Sequence, residues 1–317
     1  MSAPAPYPPY IFLPETRHAF LFAHQDDELP YVGVNRRCGP HTRMFWLTNG
    51  DGLAPEVKED PKTYAAKRIA ECRNAVRAMG RDPAIMTEAA HSEIAIYDRF
   101  VELGGRFAKV RPDGREGAFR EFDDLTDVFV GYAEEVLEFI RAAEPDVVWT
   151  LMFQGGHPEH DLTHLLTAHA LMRYERERDR KILFAQLPEY ELTILVALRF
   201  PPWYRGVRHE MILTPEDLQA KRSVIDAYPS QIDLFQKFEK VILWSNKARG
   251  IFGRPATTDD YLGREFFGPV PATLNYLRSP HRFAPADYVF EAHNGTRIVY
   301  ETMLTPIAER LRRWAAA

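Results

Sequence analysis

The sequence predicts an α/β fold: a three-layer sandwich around a mostly parallel sheet, with additions towards its C-terminal end. Near-continuous apolar runs, read as buried strands, fall at about 17–23, 43–48, 146–152 and 181–187. Helical periods separate them, over about 61–80, 125–143 and 161–177. That β-α-β alternation implies parallel strands covered by helices on both faces, the Rossmann-like arrangement, joined by right-handed crossovers. Two of the runs also end abruptly in knots of histidine and carboxylate, which suits one site at the carboxyl edge of such a sheet.

Length and composition set the bounds. A chain of 317 residues is long enough for one large α/β domain, or for a core domain with additions. Hydrophobic residues make up 45%, enough for a sizeable core. The net charge of −5 lacks the clustered Lys/Arg excess of a nucleic-acid footprint, so no nucleic-acid partner is expected. Two cysteines, Cys38 and Cys72, exclude a disulfide framework and a Cys-rich zinc site, and are expected as reduced thiols in a cytoplasmic protein. The start, MSAPAPYPPYIFLP, has no basic stretch followed by an apolar block, so no signal peptide is expected. Its five prolines suggest an extended arm over residues 1–16. No apolar stretch reaches the ~18–20 residues of a membrane helix.

Taken in order, the first strand is followed by a second, Arg43 to Thr48, ending at the turn signal Asn49-Gly50-Asp51-Gly52. The helix at 61–80 has Pro61 in its first turn, an apolar stripe of Ile69, Cys72, Val76 and Met79, and Gly80 to close it. Residues 84–122 show no clear period and are expected to form strand remnants and a loop insertion near the site. The helix at 125–143 is expected to bury Val128, Tyr132, Val136, Phe139 and Ile140. Thr214-Pro215-Glu216-Asp217 opens a helix to about 227, and 230–247 also reads as helical. The tail, rich in aromatics and proline, ends in a helix at about 305–315. The expected division is an arm at 1–16, a catalytic domain at 17–250, and an extension at 251–317 packed on the same domain.

The chemistry lies where strands end. His24-Gln25-Asp26-Asp27-Glu28 puts one imidazole and three carboxylates in five residues. Against a core, such a cluster needs a compensating positive charge, and a divalent metal is one solution. A helical turn here would put His24 and Asp27 on one face, three apart, with Asp26 pointing elsewhere. A solvated acidic loop is the bland alternative for Asp-Asp-Glu alone. The second knot, Gly155-Gly156-His157-Pro158-Glu159-His160, again sets two histidines three apart, with Pro158 suited to a first helical turn.

Together these motifs resemble a known family. Ala23-His24-Gln25-Asp26-Asp27-Glu28 is similar to the Ala-His-Pro-Asp-Asp-Glu signature of the LmbE-like, or PIG-L-type, zinc-dependent N-deacetylases, and His157-Pro158-Glu159-His160 to their His-Pro-Asp-His. Weaker echoes are Leu47-Thr48-Asn49-Gly50-Asp51, Arg68 with Glu71 before Gly80, and Lys221 with Ser230-Gln231. The resemblance covers roughly 17–235. Gln25 replaces the family's Pro and Glu159 its Asp, departures expected to bear on substrate class more than on metal binding.

What the resemblance implies is a Zn2+ held by His24, Asp27 and His160, with a position left for water. It implies Asp26 as general base and His157, as imidazolium, as stabiliser of the oxyanion. The implied partner is a small N-acylated substrate such as an amino sugar or glycoside. Glu28 is read as an acceptor for loop amides, His164 as a supporting or core residue, and His18, His169 and His209 as structural. Arg68 either pairs with Glu71 along its helix or reaches the acidic loop; Asn49 and Asp51 either line the cleft or make the turn. Tyr97, Arg99, Trp203 and Tyr204 are candidates for sugar contact or plain loop residues. The leading function is removal of an N-acetyl or other N-acyl group by metal-activated water. The alternatives are a zinc hydrolase of another amide or ester, and a non-catalytic carbohydrate-binding relative.

Overall fold

A computed structural model describes residues 7–110, 112, 119–191, 195–196, 198–201, 203–237, 240, 258–280, 288 and 292–317. Five strands run parallel, the four apolar runs and one more: β1 (His18–Phe22), β2 (Thr42–Thr48), β3 (Met86–His91), β4 (Val147–Leu151) and β5 (Leu183–Leu187). Two two-stranded hairpins lie outside the main sheet, β6 (Tyr190–Glu191) with β7 (Leu195–Val196), and β10 (Ala292–His293) with β11 (Thr296–Arg297). β8 (His209–Ile212) and β9 (Arg264–Pro269) complete a seven-stranded sheet in the order β3-β2-β1-β4-β5-β9-β8, with β9 antiparallel to both neighbours. β9 comes from the tail, so that segment supplies a strand to the main sheet.

β1, β2 and β4 alternate across two cores, which is why they read as unbroken apolar runs. Ala19, Leu21, Phe45, Leu47 and Val148 face one cluster. Phe20, Phe22, Met44, Trp46, Trp149 and Leu151 face the other. Three helices cover the second face: α1 (Val32–Arg37), α3 (Pro61–Ala78) and α7 (Pro215–Asp226), with the one-turn α2 (Ala54–Val57) leading into α3. The first face is covered by α4 (Glu93–Val110), α5 (Asp123–Ala143), α6 (Pro158–Arg178) and the C-terminal helix Thr305–Ala316. α6 is buried on every side from Pro158 to Leu171, because α5 and the C-terminal helix pack against it opposite the sheet.

Local chemistry starts these helices where the sequence indicates. Asp60 accepts from Lys62 N ahead of Pro61, and Thr214 and Asp217 form a reciprocal capping box. Three expectations need correction. Residues 84–122 are not a loop insertion: β3 and the 18-residue helix α4 lie there, with Ile96, Phe100 and Leu103 buried. In α5, Val128 is exposed, and the buried face runs through Leu125, Phe129, Ala133, Val136, Leu137 and Ile140. At the N-terminus, Pro9–Phe12 is a turn of 3-10 helix rather than extended chain, and Phe12 stacks on Trp149. Of the expected helix at 230–247, residues 232–237 are helical, and most of the rest lies outside the described residues.

The order β2-β1-β4 makes the β1/β4 boundary the point where the chain reverses its direction of winding. Loops leaving the carboxyl ends of those two strands diverge there and open a crevice. The two charged knots of the sequence are those loops.

Candidate metal centre

The loop after β1 is not the helical turn anticipated. Asp26 has a φ of 112°, a region disfavoured for any side chain, and the chain then enters a 3-10 turn at Leu29–Tyr31. His24 and Asp27 nonetheless meet. Asp27 turns back so that Oδ2 accepts from Ala23 N at 2.8 Å and His24 N at 2.9 Å. Its other oxygen, Oδ1, lies 3.3 Å from His24 Nδ1. From the far side of the crevice, Pro158 starts α6 and its first turn delivers His160, whose Nε2 lies 3.1 Å from Asp27 Oδ1 and 3.2 Å from His24 Nδ1.

Three donor atoms therefore form a nearly equilateral triangle. A tetrahedral zinc with ligands at about 2.0–2.1 Å separates its donor atoms by about 3.3 Å, so the triangle fits that ion. Protons fit it poorly. Protonating both rings leaves two N–H groups facing each other across 3.2 Å. One cation satisfies all three atoms at once.

The surroundings point the same way. His24 Nε2 lies 3.0 Å from Glu159 Oε2, and His160 Nδ1 lies 2.9 Å from Glu189 Oε2, so each ring turns its other nitrogen into the triangle. Burial alone would lower both imidazoles. For His24 the Asp27 carboxylate, with Glu93 and Glu159, outweighs burial and raises the ring well above its ordinary value. For His160, Asp27 and Glu189 outweigh burial and raise it to about 10. Burial would likewise raise Asp27, but His160 and His24 hold it well below the carboxylate range. The field at this point favours positive charge.

Asp26 sits at the edge of the triangle, its carboxylate Oδ2 3.0 Å from Arg68 Nη2. Burial pushes its pKa up to about 6, against the pull of Arg68. His157 completes a cluster of three rings, with centroids 4.7 Å from His24 and 4.8 Å from His160. Burial, then the neighbouring His24 and His160, holds it well below the usual imidazole range, and a metal cation would lower it further. The surroundings of His157 thus disfavour its imidazolium form.

The family model described as PIG-L, GlcNAc-PI de-N-acetylase, matches residues 19–171. The chain carries a PIG-L-family domain. No curated protein matches it by sequence. Among solved structures, the A40926 pseudoaglycone deacetylase is 17% identical, with 82% of this chain and 99% of that one covered, at a TM-score of 0.53. A deacetylase of teicoplanin biosynthesis, solved with teicoplanin, is 17% identical over 80% of this chain and 98% of its own, at 0.51. At that identity the likeness shows the fold: an α/β sandwich shared with LmbE-like deacetylases.

Within the PIG-L domain, both departures from the family signature support the site's frame. Glu159 Oε2 reaches His24 and lies 3.8 Å from His157 Nδ1, a span its longer side chain makes possible. Gln25 is fully buried, its amide donating to Thr48 O at 2.8 Å.

Arg68 does both things open to it: it pairs with Asp26 and lies 3.6 Å from Glu71. Asp51 makes the turn and caps α4, accepting from Glu93 N at 2.8 Å and Ser92 Oγ at 2.7 Å. Glu28 accepts from Asp26 N at 3.2 Å and from the Tyr228 hydroxyl. His164 stays out of the cluster, bonded to Leu151 O and Tyr276. His18, His169 and His209 are buried elsewhere in the core. Tyr97 lies beside the site, its ring 6.5 Å from His157, whereas Tyr204 stacks on Phe200 and bonds Gln186.

Sequence reasoning missed Glu189 and Glu93. Glu189 stands just past the end of β5, a third strand ending at the same sheet edge, and that position was its signal. Glu93 opens α4, accepts from Thr48 Oγ1 at 2.8 Å, and lies near His24 and Glu159; it was hidden because α4 was.

Proposed function

We propose that this chain is a zinc-dependent N-deacetylase that removes an N-acetyl or other N-acyl group from an amino sugar or related small molecule. The triangle of His24 Nδ1, Asp27 Oδ1 and His160 Nε2 carries the reading, with Asp26 at its edge. The family is named for a de-N-acetylase of a GlcNAc lipid, and this supports an amino-sugar substrate.

His24, Asp27 and His160 would hold the zinc. A zinc there supplies Lewis acidity, bringing a water's pKa towards ~7 and polarising the amide carbonyl. The remaining chemistry belongs to the chain. Arg68 fixes one oxygen of Asp26, and Oδ1 takes the proton of the attacking water. An Asp26 carboxyl near pH 6 is basic enough to accept that proton at neutral pH and acidic enough to return it to the departing amine. His157, neutral, donates an N–H to the oxygen that develops negative charge. Glu159 and Glu189 hold the two ring ligands in the productive tautomer.

The proposal includes a cytoplasmic location, in keeping with Cys38 and Cys72 as buried thiols. No helix among the described residues is long and apolar enough to cross a membrane. The test is a panel of N-acetylated glycosides, other amides and esters offered to chelated and zinc-restored protein, with released acid as readout. Acetate released only with metal, and only from N-acetyl amino sugars, is the expected result. Ester cleavage alone would reassign the substrate class; no release with bound zinc would favour a binding protein.

A further inference from the structure

Gln25 occupies the position where the family signature has proline, and its surroundings show what it does instead. The residue is fully buried, between His24, which faces the metal triangle, and Asp26, whose carboxylate stands at the triangle's edge on Arg68. Proline would restrict this loop through its ring. Glutamine has no such restraint, and a buried amide without a partner is costly. Here the side-chain amide crosses to the neighbouring strand end and donates to Thr48 O at 2.8 Å. The same residue's carbonyl accepts from the Arg68 guanidinium, whose Nη2 also lies 3.0 Å from Asp26 Oδ2.

The neighbouring strand end is shaped to receive the amide. Gly50 has a φ of +77°, and a Cβ on it would lie 2.5 Å from Gln25 Oε1. Thr48 is fixed in turn, its N–H donating to Ala23 O at 2.9 Å and its hydroxyl to Glu93. The loops after β1 and β2 are thereby joined by bonds at Ala23 and Gln25, flanking His24. The residue that follows, Asp26, is held at a φ of 112°, which its backbone would not choose.

We propose that Gln25 is a positioning residue: its amide, tied to the end of β2, and its carbonyl, tied to Arg68, hold Asp26 in the conformation that presents its carboxylate to the reacting water. The proposal rests on the deacetylase reading. Removing the amide releases the loop to relax towards an ordinary φ, which carries the Asp26 carboxylate off Arg68. The ligands are held by other bonds, Asp27 by the Ala23 and His24 amides and His160 by Glu189, and stay in place.

The experiment compares the full-length, zinc-loaded parent with Gln25→Leu, which removes the donor, and Gln25→Glu, which keeps the length and turns the donor into an acceptor facing Thr48 O. Bound zinc, kcat, KM and a crystal structure are measured for each. A misplaced catalytic group costs up to about 100-fold, so kcat per bound zinc is expected to fall about 10- to 100-fold, with KM and zinc stoichiometry at parent values. The variant crystals are expected to show Asp26 off Arg68 and the metal triangle intact. Parental kcat per bound zinc, or an Asp26–Arg68 contact kept in Gln25→Leu, would overturn the proposal. So would loss of zinc together with activity, because the amide would then support the ligands. A parent without metal-dependent acetate release would overturn the deacetylase reading instead, and the Asp26–Arg68 contact in the variant crystals would still decide the role of Gln25.

Discussion

Asp26 and Asp27 are adjacent carboxylates that their surroundings shift in opposite directions. Asp27 lies between two imidazoles and is held ionised; Asp26 is buried against one guanidinium and is raised to about 6. Outer carboxylates divide the work in the same way, Glu159 turning His24 and Glu189 turning His160. Glu189→Gln is therefore expected to weaken zinc binding about 10- to 100-fold without changing its stoichiometry at saturation, measured by competition with a chromogenic chelator. His24→Ala should lose metal and activity together. His157→Ala should keep the metal and lose turnover about 100- to 1,000-fold, as for removal of one oxyanion donor. Combined with Asp26→Asn the losses should not add, since both residues serve one transition state. At this scale the clustering was legible, because His24, Asp26, Asp27, His157 and His160 lie in two short motifs. Glu189 was not, because its partnership with His160 spans two strand ends that only the sheet brings together. The lowering of His157 was not legible either, since it depends on burial and on the approach of His24 from the other motif.

At the level of elements, α4 shows where pattern reading failed and why. Its apolar positions Ile96, Phe100 and Leu103 do keep helical spacing, but Gly104-Gly105 and the charges around them masked the period. α3, α6 and α7 were legible from their starts: Pro61, Pro158 and Thr214-Pro215 each sit where the first turn begins. Phe100 is fully buried in the core that α4 closes. Phe100→Ala should cost about 3–5 kcal/mol in urea unfolding. A second tie joins α7 to the segment after the metal loop. Lys221 Nζ donates to Pro30 O at 2.7 Å and pairs with Glu265 Oε1 at 2.9 Å, both side chains fully buried. Glu265 also accepts from Gly33 N and Val34 N at the start of α1. Lys221→Met should cost about 3–5 kcal/mol by leaving a buried carboxylate uncompensated. An apolar replacement of both partners should not recover the loss, because it strands two backbone donors.

Across the whole molecule, the order β3-β2-β1-β4-β5 puts the crevice between β1 and β4, and the two motifs follow those strands. That convergence was legible from the two strand endings alone. The contribution of the tail was not, because β9 is recruited antiparallel from far along the chain and has no local signal of partnership with β5. The same layered burial sets how the fold responds to acid. Burial, aided by Arg81 and opposed by Asp146, holds His18 at about 4; burial, opposed by the Leu151 carbonyl, holds His164 at about 4. A histidine lowered on folding binds its proton more readily when unfolded, so stability falls as pH drops from about 6.5 towards about 4. Each should contribute a loss of about 2 kcal/mol between pH 7 and pH 5, read by urea unfolding, and His18→Gln should remove its share of that fall.

The central claim is that one metal, held by His24, Asp27 and His160, works with Asp26 as proton acceptor. The most direct measurement is acetate release during a zinc titration of metal-stripped parent and Asp26→Asn proteins. The parent's rate should climb to a plateau at one zinc per chain, and Asp26→Asn should bind the same zinc while turning over about 100- to 10,000-fold more slowly. An Asp26→Asn protein that carries its zinc and releases acetate at the parental rate would contradict the claim.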